Sequence, residues 1–146
     1  MTTVADILKS KSIRTVHTIE AAASALDAVK RMTDANVGAL VVLDQGQVIG
    51  ILSERDCARK VILSARAAAQ TPVREIMSAP VLVVQSSRTN DECMALMTEN
   101  RLRHLPVVDD RRLVGMVSIG DLVKQAVADQ RFVIEQLEHY ISGDRG

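Results

Sequence analysis

The sequence has almost no aromatic residues and few cysteines, and these shortages narrow the possible folds. It contains one Phe, one Tyr and no Trp, although 47% of its 146 residues are hydrophobic. The core must therefore be built from Val, Ile, Leu, Ala and Met, which favours βαβ-type packing over an aromatic-rich sandwich. The two cysteines, Cys57 and Cys93, lack C-x-x-C spacing. We expect both to be reduced thiols that act as small apolar core residues.

Long apolar runs and an excess of one charge are also missing. The N-terminus lacks the apolar core of a signal peptide, and no stretch of about 18 apolar residues is present to span a membrane. The formal net charge is zero, so no basic face of the kind that binds duplex nucleic acid is expected. The sequence predicts a cytoplasmic protein with no nucleic-acid or membrane partner.

Residue patterns typical of catalysis or metal binding are absent as well. The three histidines, His17, His104 and His139, are too scattered for a metal site. Neither Ser53 nor Ser118 has partners for a catalytic triad, and there is no Gly-rich phosphate loop. We therefore predict no catalytic residue, no metal and no enzymatic activity.

What the sequence does contain is an internal repeat. GILSERD at Gly50–Asp56 and GMVSIGD at Gly115–Asp121 share the pattern Gly-apolar-apolar-Ser-x-x-Asp at an offset of 65 residues. Similarity at this offset continues on both sides of the motif, and VADIL at Val4–Leu8 matches VREIM at Val73–Met77. We call the two copies repeat 1 and repeat 2.

Each repeat has the element pattern αβαββα. Its opening helix is Val4–Leu8 or Val73–Met77, and a strand is predicted near Arg14–Ile19 or Val81–Val84. An amphipathic helix and a strand hairpin follow, and a last helix begins at each Ser-x-x-Asp. The hairpin strands are continuous apolar runs, which predicts an α/β fold with sheets covered on both faces.

A helical pattern continues beyond repeat 2, from Val123 to Tyr140. Its apolar stripe is compatible with packing against its own domain and with contact to another subunit; its members are Val127, Ile134, Leu137 and Ile141. The predicted boundaries are residues 1–64 for repeat 1, 65–70 for a linker, 71–128 for repeat 2 and 129–146 for a C-terminal helical extension. The two repeats are expected to form one globular module.

The Ser-x-x-Asp pattern has two interpretations that can both hold. A Ser at a helix N-cap with an acidic residue three positions later forms a capping box. A strand that turns directly into a helix also aims free N–H groups past the sheet edge, which favours an anion. Because a carboxylate there can accept hydrogen bonds from a sugar diol, the pattern also suits a nucleotide.

In combination, these motifs resemble a stand-alone pair of cystathionine-β-synthase (CBS) domains of the small bacterial type. The similarity covers about residues 4–130, and it is carried by the two Ser-x-x-Asp stretches, VGALVVLD, RHLPVVDD, VADIL and VREIM. The resemblance implies that the repeats pack sheet against sheet about a pseudo-two-fold axis and leave two clefts. In the family such clefts commonly hold adenine nucleotides: AMP, ADP, ATP, NAD(H) or S-adenosylmethionine.

The resemblance also nominates ligand-binding residues. It pairs Asp56 with Ser53 and Asp121 with Ser118, the aspartates accepting hydrogen bonds from ribose hydroxyls. The positions that match the family's adenine-facing backbone are Thr18, Ile19, Gly38 and Ala39 in one cleft, and Val83, Val84, His104 and Leu105 in the other.

The two copies differ in where positive charge lies. Repeat 1 has Arg55 inside its motif, and repeat 2 has Arg103 before its strand. These arginines are the candidate phosphate ligands, with solvated surface arginine as the alternative for each. A weaker candidate is the four-residue insertion of repeat 1 near Lys9, Ser10 and Lys11. We therefore expect the two clefts to be inequivalent.

Three functions remain open at this stage, and we favour a non-catalytic regulatory module that senses an adenine nucleotide. Such a module would transmit a conformational change to a regulated partner protein, whose identity the sequence does not reveal. The alternatives are a structural dimerisation module without a physiological ligand, and an enzyme acting on a nucleotide phosphate. The resemblance further implies a homodimer, which the C-terminal helix could extend to a tetramer.

Overall fold

The computed structural model describes residues 1–11 and 16–143, with side chains through residue 141. Its contacts divide the chain into two compact units. The repeat-1 unit comprises residues 16–83 and 108–114, and the repeat-2 unit comprises residues 1–11, 84–107 and 115–143. The helices and strands are, in chain order, α1 (Val4–Ser10), β1 (Thr18–Glu20), α2 (Ala25–Ala35), β2 (Ala39–Asp44), β3 (Gln47–Ser53), α3 (Glu54–Cys57), α4 (Asn90–Asn100), β4 (His104–Asp109), β5 (Arg112–Ser118) and α5 (Ile119–Gly143).

A three-stranded sheet in the order β1-β2-β3 forms the centre of the repeat-1 unit. Strand β1 runs parallel to β2, and β2 pairs with β3 in antiparallel register, Ala39 opposite Ser53. A π-helical turn at Ala58–Ile62 extends α3. The central strand β2 is buried along most of its length, as expected for an apolar run covered on both faces.

Repeat 2 has a shorter sheet, formed by β4 and β5 alone. The predicted strand at Val81–Val84 is wrong, because this segment makes only an isolated bridge between Val84 and Val107. The bridge includes a hydrogen bond from the Val84 N–H to the Pro106 carbonyl. In repeat 1 the equivalent of Pro106 is Val41, whose N–H donates to the His17 carbonyl. Proline has no N–H to donate, so the ladder cannot extend in repeat 2.

Each unit completes its hydrophobic core with the opening segment of the other repeat. Val4 and Ile7 of α1 are buried in the repeat-2 unit, and Val73 and Ile76 are buried in the repeat-1 unit. The segment at Val73–Glu75 is a 3₁₀ helix and not the α-helix that the pattern predicts. The other buried core residues are Ile19, Ala21, Ala25, Ala28, Met32, Leu40, Val42, Leu52, Cys57 and Val61 in the first core, and Val84, Cys93, Met97, Leu105, Val107, Val117 and Leu122 in the second.

Three further predictions can be compared with these elements. Cys57 and Cys93 are buried free thiols, as predicted, and burial raises the pKa of both. The α/β class and the helical extension are also confirmed, since α5 continues to Gly143. Among the helices of the described ranges, none has the length and apolar character needed to cross a membrane. The predicted strand residue Arg14 lies outside the described residues.

Candidate functional site

Both Ser-x-x-Asp motifs form capping boxes where a strand turns into a helix. At the start of α3, the Ser53 N–H donates to Asp56 Oδ2 at 3.0 Å, and the Asp56 N–H donates to Ser53 Oγ at 3.1 Å. At the start of α5, the corresponding Ser118–Asp121 distances are 2.8 and 3.2 Å. The capping interpretation is therefore correct, and it fixes each carboxylate beside the first turn of a helix.

The strand before each motif lies directly beside it. The Glu54 N–H donates to the Gly38 carbonyl at 3.0 Å, and at the same position in repeat 2 the Ile119 N–H donates to the Arg103 carbonyl at 2.9 Å. Residues 38–39 are thus held next to Ser53, as residues 103–104 are next to Ser118. Two stretches that are far apart in sequence meet in the same way in both repeats.

In repeat 1, Asp56 accepts a further hydrogen bond from a hydroxyl and forms an ion pair with a lysine. Ser78 Oγ lies 3.2 Å from Asp56 Oδ1, and Lys60 Nζ lies 3.5 Å from the same oxygen. Ser78 is held there by its backbone, which exchanges two hydrogen bonds with Ile51 of β3. Lys60 also donates to the Ile76 carbonyl at 3.1 Å. The carboxylate of Asp56 is therefore already arranged to accept from hydroxyl groups.

In repeat 2, one lysine replaces the two hydrogen bonds that Ser78 donates in repeat 1, one from its hydroxyl to Asp56 and one from its N–H to the Ile51 carbonyl. Lys11 Nζ lies 3.0 Å from Asp121 Oδ2 and 3.0 Å from the Met116 carbonyl. Met116 is the repeat-2 equivalent of Ile51, whose carbonyl accepts from the Ser78 N–H. A single ammonium thus supplies what a backbone N–H and a hydroxyl supply in repeat 1. Each carboxylate thus has one lysine beside it, but Lys11 Nζ lies 3.0 Å from Asp121, whereas Lys60 Nζ lies 3.5 Å from Asp56.

The groups around Asp121 change its ionisation and that of a neighbouring histidine. Burial opposes the charged form of Asp121, but hydrogen bonds from Ser118 and Lys11 outweigh it and lower the pKa of this carboxyl. The pKa of His104 is also lowered, mainly by burial. Asp121 counteracts that shift, whereas the charges of Arg103 and Lys11 add to it. At neutral pH the site presents a carboxylate, an ammonium and a neutral imidazole.

The glycine of each motif allows a close approach that no larger residue would permit. A Cβ at Gly50 would lie 2.7 Å from Met77 Sδ and 2.9 Å from the Ser78 carbonyl oxygen. A Cβ at Gly115 would lie 2.7 Å from Leu8 Cδ2. Met77 and Leu8 hold equivalent positions in VREIM and VADIL. The motif glycines therefore let the opening segment of one repeat pack against a strand of the other.

The nominated residues differ in how much of each is accessible. Four of them are core residues, of which only the backbone could contact a ligand: Ile19, Ala39, Val84 and Leu105. The half-buried ones are Thr18, Ser53, Asp56, His104, Ser118 and Asp121, and the exposed ones are Gly38, Val83, Arg55 and Arg103.

Within the repeat-1 unit, the nominated residues fall into two groups. Gly38 and Ala39 lie beside Ser53 and Asp56. Thr18 and Ile19 instead line a groove of about 850 Å³ between β1 and α2, where Arg31 donates to the Thr18 carbonyl at 2.7 Å.

Sequence reasoning did not identify two of the residues that contact Asp56. Lys60 is four residues after Asp56, so i,i+4 spacing on the last helix of repeat 1 was an available signal. Ser78 had no such signal, because only the pairing of its segment with β3 brings it to the carboxylate.

The fold and the site define a class of protein: a tandem of α/β repeats, each with a capped carboxylate after its last strand. Residues 3–63 and 73–128 match the family model of the CBS domain, and the chain therefore belongs to the CBS domain family. Members that consist only of CBS domains are generally regulatory modules that bind adenosine ligands, and not catalysts.

Known proteins support this assignment along most of the chain. The mitochondrial CBS domain-containing protein CBSX3 of Arabidopsis thaliana is 39% identical over 97% of this chain and 73% of its own length. A solved structure of a protein with CBS domains from Burkholderia ambifaria MC40-6 is 53% identical, with a TM-score of 0.82 over 88% of this chain and 96% of that one. The hexameric CBS-CP12 protein from bloom-forming cyanobacteria is 27% identical, with a TM-score of 0.74. The match covers 83% of this chain and 66% of that one.

Proposed function

We propose that this protein is a non-catalytic sensor of adenine nucleotides, with one ligand site at each Ser-x-x-Asp motif. The candidate ligands are AMP, ADP, ATP, NAD(H) and S-adenosylmethionine. The observation that carries the proposal is the state of the two aspartates: each is fixed beside a helix N-terminus and accepts hydrogen bonds from donors that a ligand could replace.

The donor at Asp56 has the chemistry of a ribose. Ser78 offers a hydroxyl to Oδ1 at 3.2 Å and to Oδ2 at 3.4 Å, and a ribose diol would offer two hydroxyls to the same oxygens. The neighbouring backbone of residues 38–39 is open at Gly38, which is exposed. A base stacked on this strand would lie close to the carboxylate that holds its sugar.

At Asp121 the Lys11 ammonium favours a phosphorylated ligand. A ribose that reaches this carboxylate brings its phosphate near a fixed positive charge, whose Nζ lies 3.0 Å from Asp121 Oδ2. Arg103 adds exposed positive charge beside the same strand. Because Lys11 lies closer to Asp121 than Lys60 lies to Asp56, at 3.0 Å against 3.5 Å, we expect the second site to discriminate between AMP and adenosine more strongly than the first.

The direct test is isothermal titration of the purified full chain, stripped of bound ligand, with each candidate nucleotide and with GTP as the control. Saturable binding of an adenine compound, with no conversion of the ligand on incubation, is the expected result. Asp56→Ala and Asp121→Ala each remove a charged acceptor worth about 1.5–3 kcal/mol, so affinity at that site should fall about 10- to 100-fold.

Two controls separate ligand contacts from folding. Asp44→Ala alters an exposed carboxylate at the β2–β3 turn and should leave binding unchanged. Lys11→Met should weaken binding of AMP at the second site but not that of adenosine. A folded chain that binds none of the adenine compounds would overturn the proposal and favour a structural dimerisation module.

The regulatory role requires a partner that responds to the ligand. Ligand binding shifts an equilibrium between two arrangements only if it prefers one of them. Self-association is the output we propose, and it is supported by the hexameric state of the cyanobacterial CBS-CP12 relative. We propose a homodimer as the working assembly, with a tetramer as the next step. A cytoplasmic location remains a prediction.

A further inference from the structure

The last part of α5 carries large apolar side chains that are mostly exposed. Over residues 127–141 this helix is about 21 Å long, and its apolar residues are between 42% and 68% exposed; they are Val127, Phe132, Val133, Ile134, Leu137, Tyr140 and Ile141. Phe132 and Val133 also line a cavity of about 510 Å³ next to Thr89 and Asn90.

Apart from Phe132, these side chains share one face in a heptad pattern. The a positions of the heptad are Val127, Ile134 and Ile141, which follow one another at intervals of seven residues. The d positions are Gln130 and Leu137. Val133 and Tyr140 flank this seam on one side, and Arg131 and Glu138 flank it on the other. We call this face the tail seam. A seam of this width needs a second helix to cover it.

The flanking charges select both the partner and its direction. In an antiparallel pair of two copies with Ile134 opposite Leu137 of the other chain, Arg131 lies opposite Glu138 of that chain, and the reverse pair forms by symmetry. The same register places Val133 opposite Tyr140. In a parallel pair, Arg131 would face Ala126 and Glu138 would face Val133, so neither charge would be paired.

We infer that the tail seam pairs with the tail seam of a second copy of this chain, as a two-fold symmetric antiparallel helix pair. Its centre lies between Glu135 and Gln136, and two Arg131–Glu138 ion pairs border a core in which Ile134 packs against Leu137, and Ile141 against Gln130, of the other chain. This contact lies outside both Ser-x-x-Asp motifs, so it does not depend on the proposed ligand.

Cross-linking tests the register and the direction together. Two variants of the full chain, Ile134→Cys and Leu137→Cys, each add one exposed cysteine to the buried Cys57 and Cys93. They are mixed and oxidised, and the disulfide-linked dimers that form beyond those of the wild-type chain are measured by non-reducing electrophoresis. Antiparallel pairing places these residues in one layer, so the mixture should cross-link at least about 10-fold faster than either variant alone. Faster cross-linking of the single variants would indicate a parallel pair and overturn the inference, as would no cross-linking above a fully reduced control.

Charge reversal in the same assay tests the ion pairs. Adding Arg131→Glu to both variants should slow cross-linking about 10-fold, because the new carboxylate would face that of Glu138. Adding Glu138→Arg as well should restore the rate. Glu135→Arg is the matched control, since position 135 lies outside the seam, and it should leave the rate unchanged. Equal slowing by the control, or no rescue by the double reversal, would contradict the assigned pairs.

Discussion

Lys11 and Asp121, which are 110 positions apart in the sequence, form an ion pair with Nζ 3.0 Å from Oδ2. The pair joins the end of the opening segment of repeat 1 to the Ser-x-x-Asp motif of repeat 2. It also distinguishes the two sites, because in repeat 1 a serine hydroxyl approaches the corresponding carboxylate.

Replacing Lys11 should affect stability in a pH-dependent way. Asp121 has a lowered pKa in the folded protein, so its stabilising effect is present above its ordinary value of 3.8 and is lost as pH falls through the folded value. Lys11→Met removes one cause of that shift, and we expect it to reduce the free energy of unfolding by about 1 kcal/mol at pH 7. The difference from wild type should shrink below about pH 4.

Urea unfolding at several pH values measures this effect, and carboxyl NMR follows the pKa of Asp121, which should rise in Lys11→Met. The matched control is Lys60→Met, which removes the lysine next to Asp56 and should leave the pKa of Asp121 unchanged. If the free energy of unfolding of Lys11→Met stayed below that of wild type by the same amount down to pH 3, the loss of the ion pair could not be its cause.

The glycines of the two motifs should differ in how well they tolerate alanine. At Gly115 the added Cβ meets only the flexible end of Leu8, whereas at Gly50 it also meets the Ser78 backbone oxygen at 2.9 Å. We expect Gly115→Ala to cost about 1–3 kcal/mol and Gly50→Ala to cost more. Chemical denaturation of the double variant Leu8→Ala/Gly115→Ala should show a loss smaller than the sum of the single losses. Strict additivity would mean that these residues do not compete for space.

The capping serines should contribute equally to the two units. Ser53→Ala and Ser118→Ala each delete an N-cap acceptor, and each should lower the free energy of unfolding by about 1 kcal/mol. Ser87→Ala, in the exposed turn before α4, is the control and should change it by less than about 0.5 kcal/mol. If the control matched the two cap variants in thermal or chemical denaturation, the loss could not be assigned to capping.

His104 should make the protein less stable in mild acid. Its lowered pKa means that the unfolded chain takes up a proton at a higher pH than the folded one. Stability is therefore complete above the ordinary value of 6.5 and falls as pH drops through the folded value. His104→Gln should flatten the stability profile between pH 7 and 5. The control is His139→Gln, on the exposed part of α5, which should keep the wild-type dependence of stability on pH. If His104→Gln also kept that dependence, the acid sensitivity could not be assigned to His104.

Much of the fold follows from local patterns in the sequence. The hairpin strands and the two capping boxes depend on residues within a few positions of one another, and the structure confirms them. The strand at Val81–Val84 fails for a reason that is not local: its apolar residues suit a strand, but the facing residue is Pro106, which lacks a donor. Which residues bind a ligand stays a prediction.

The sequence by itself determined the repeats, their hairpin strands and the position of each capped aspartate, because turns, caps and apolar periodicity act over short distances. Only the tertiary structure decided what surrounds those aspartates. Each opening segment packs in the unit formed mainly by the other repeat, and this exchange brings Lys11 to Asp121 and Ser78 to Asp56. Since the opening segments of both repeats have similar apolar faces, only the packing of complete side chains distinguishes the core that each one fills.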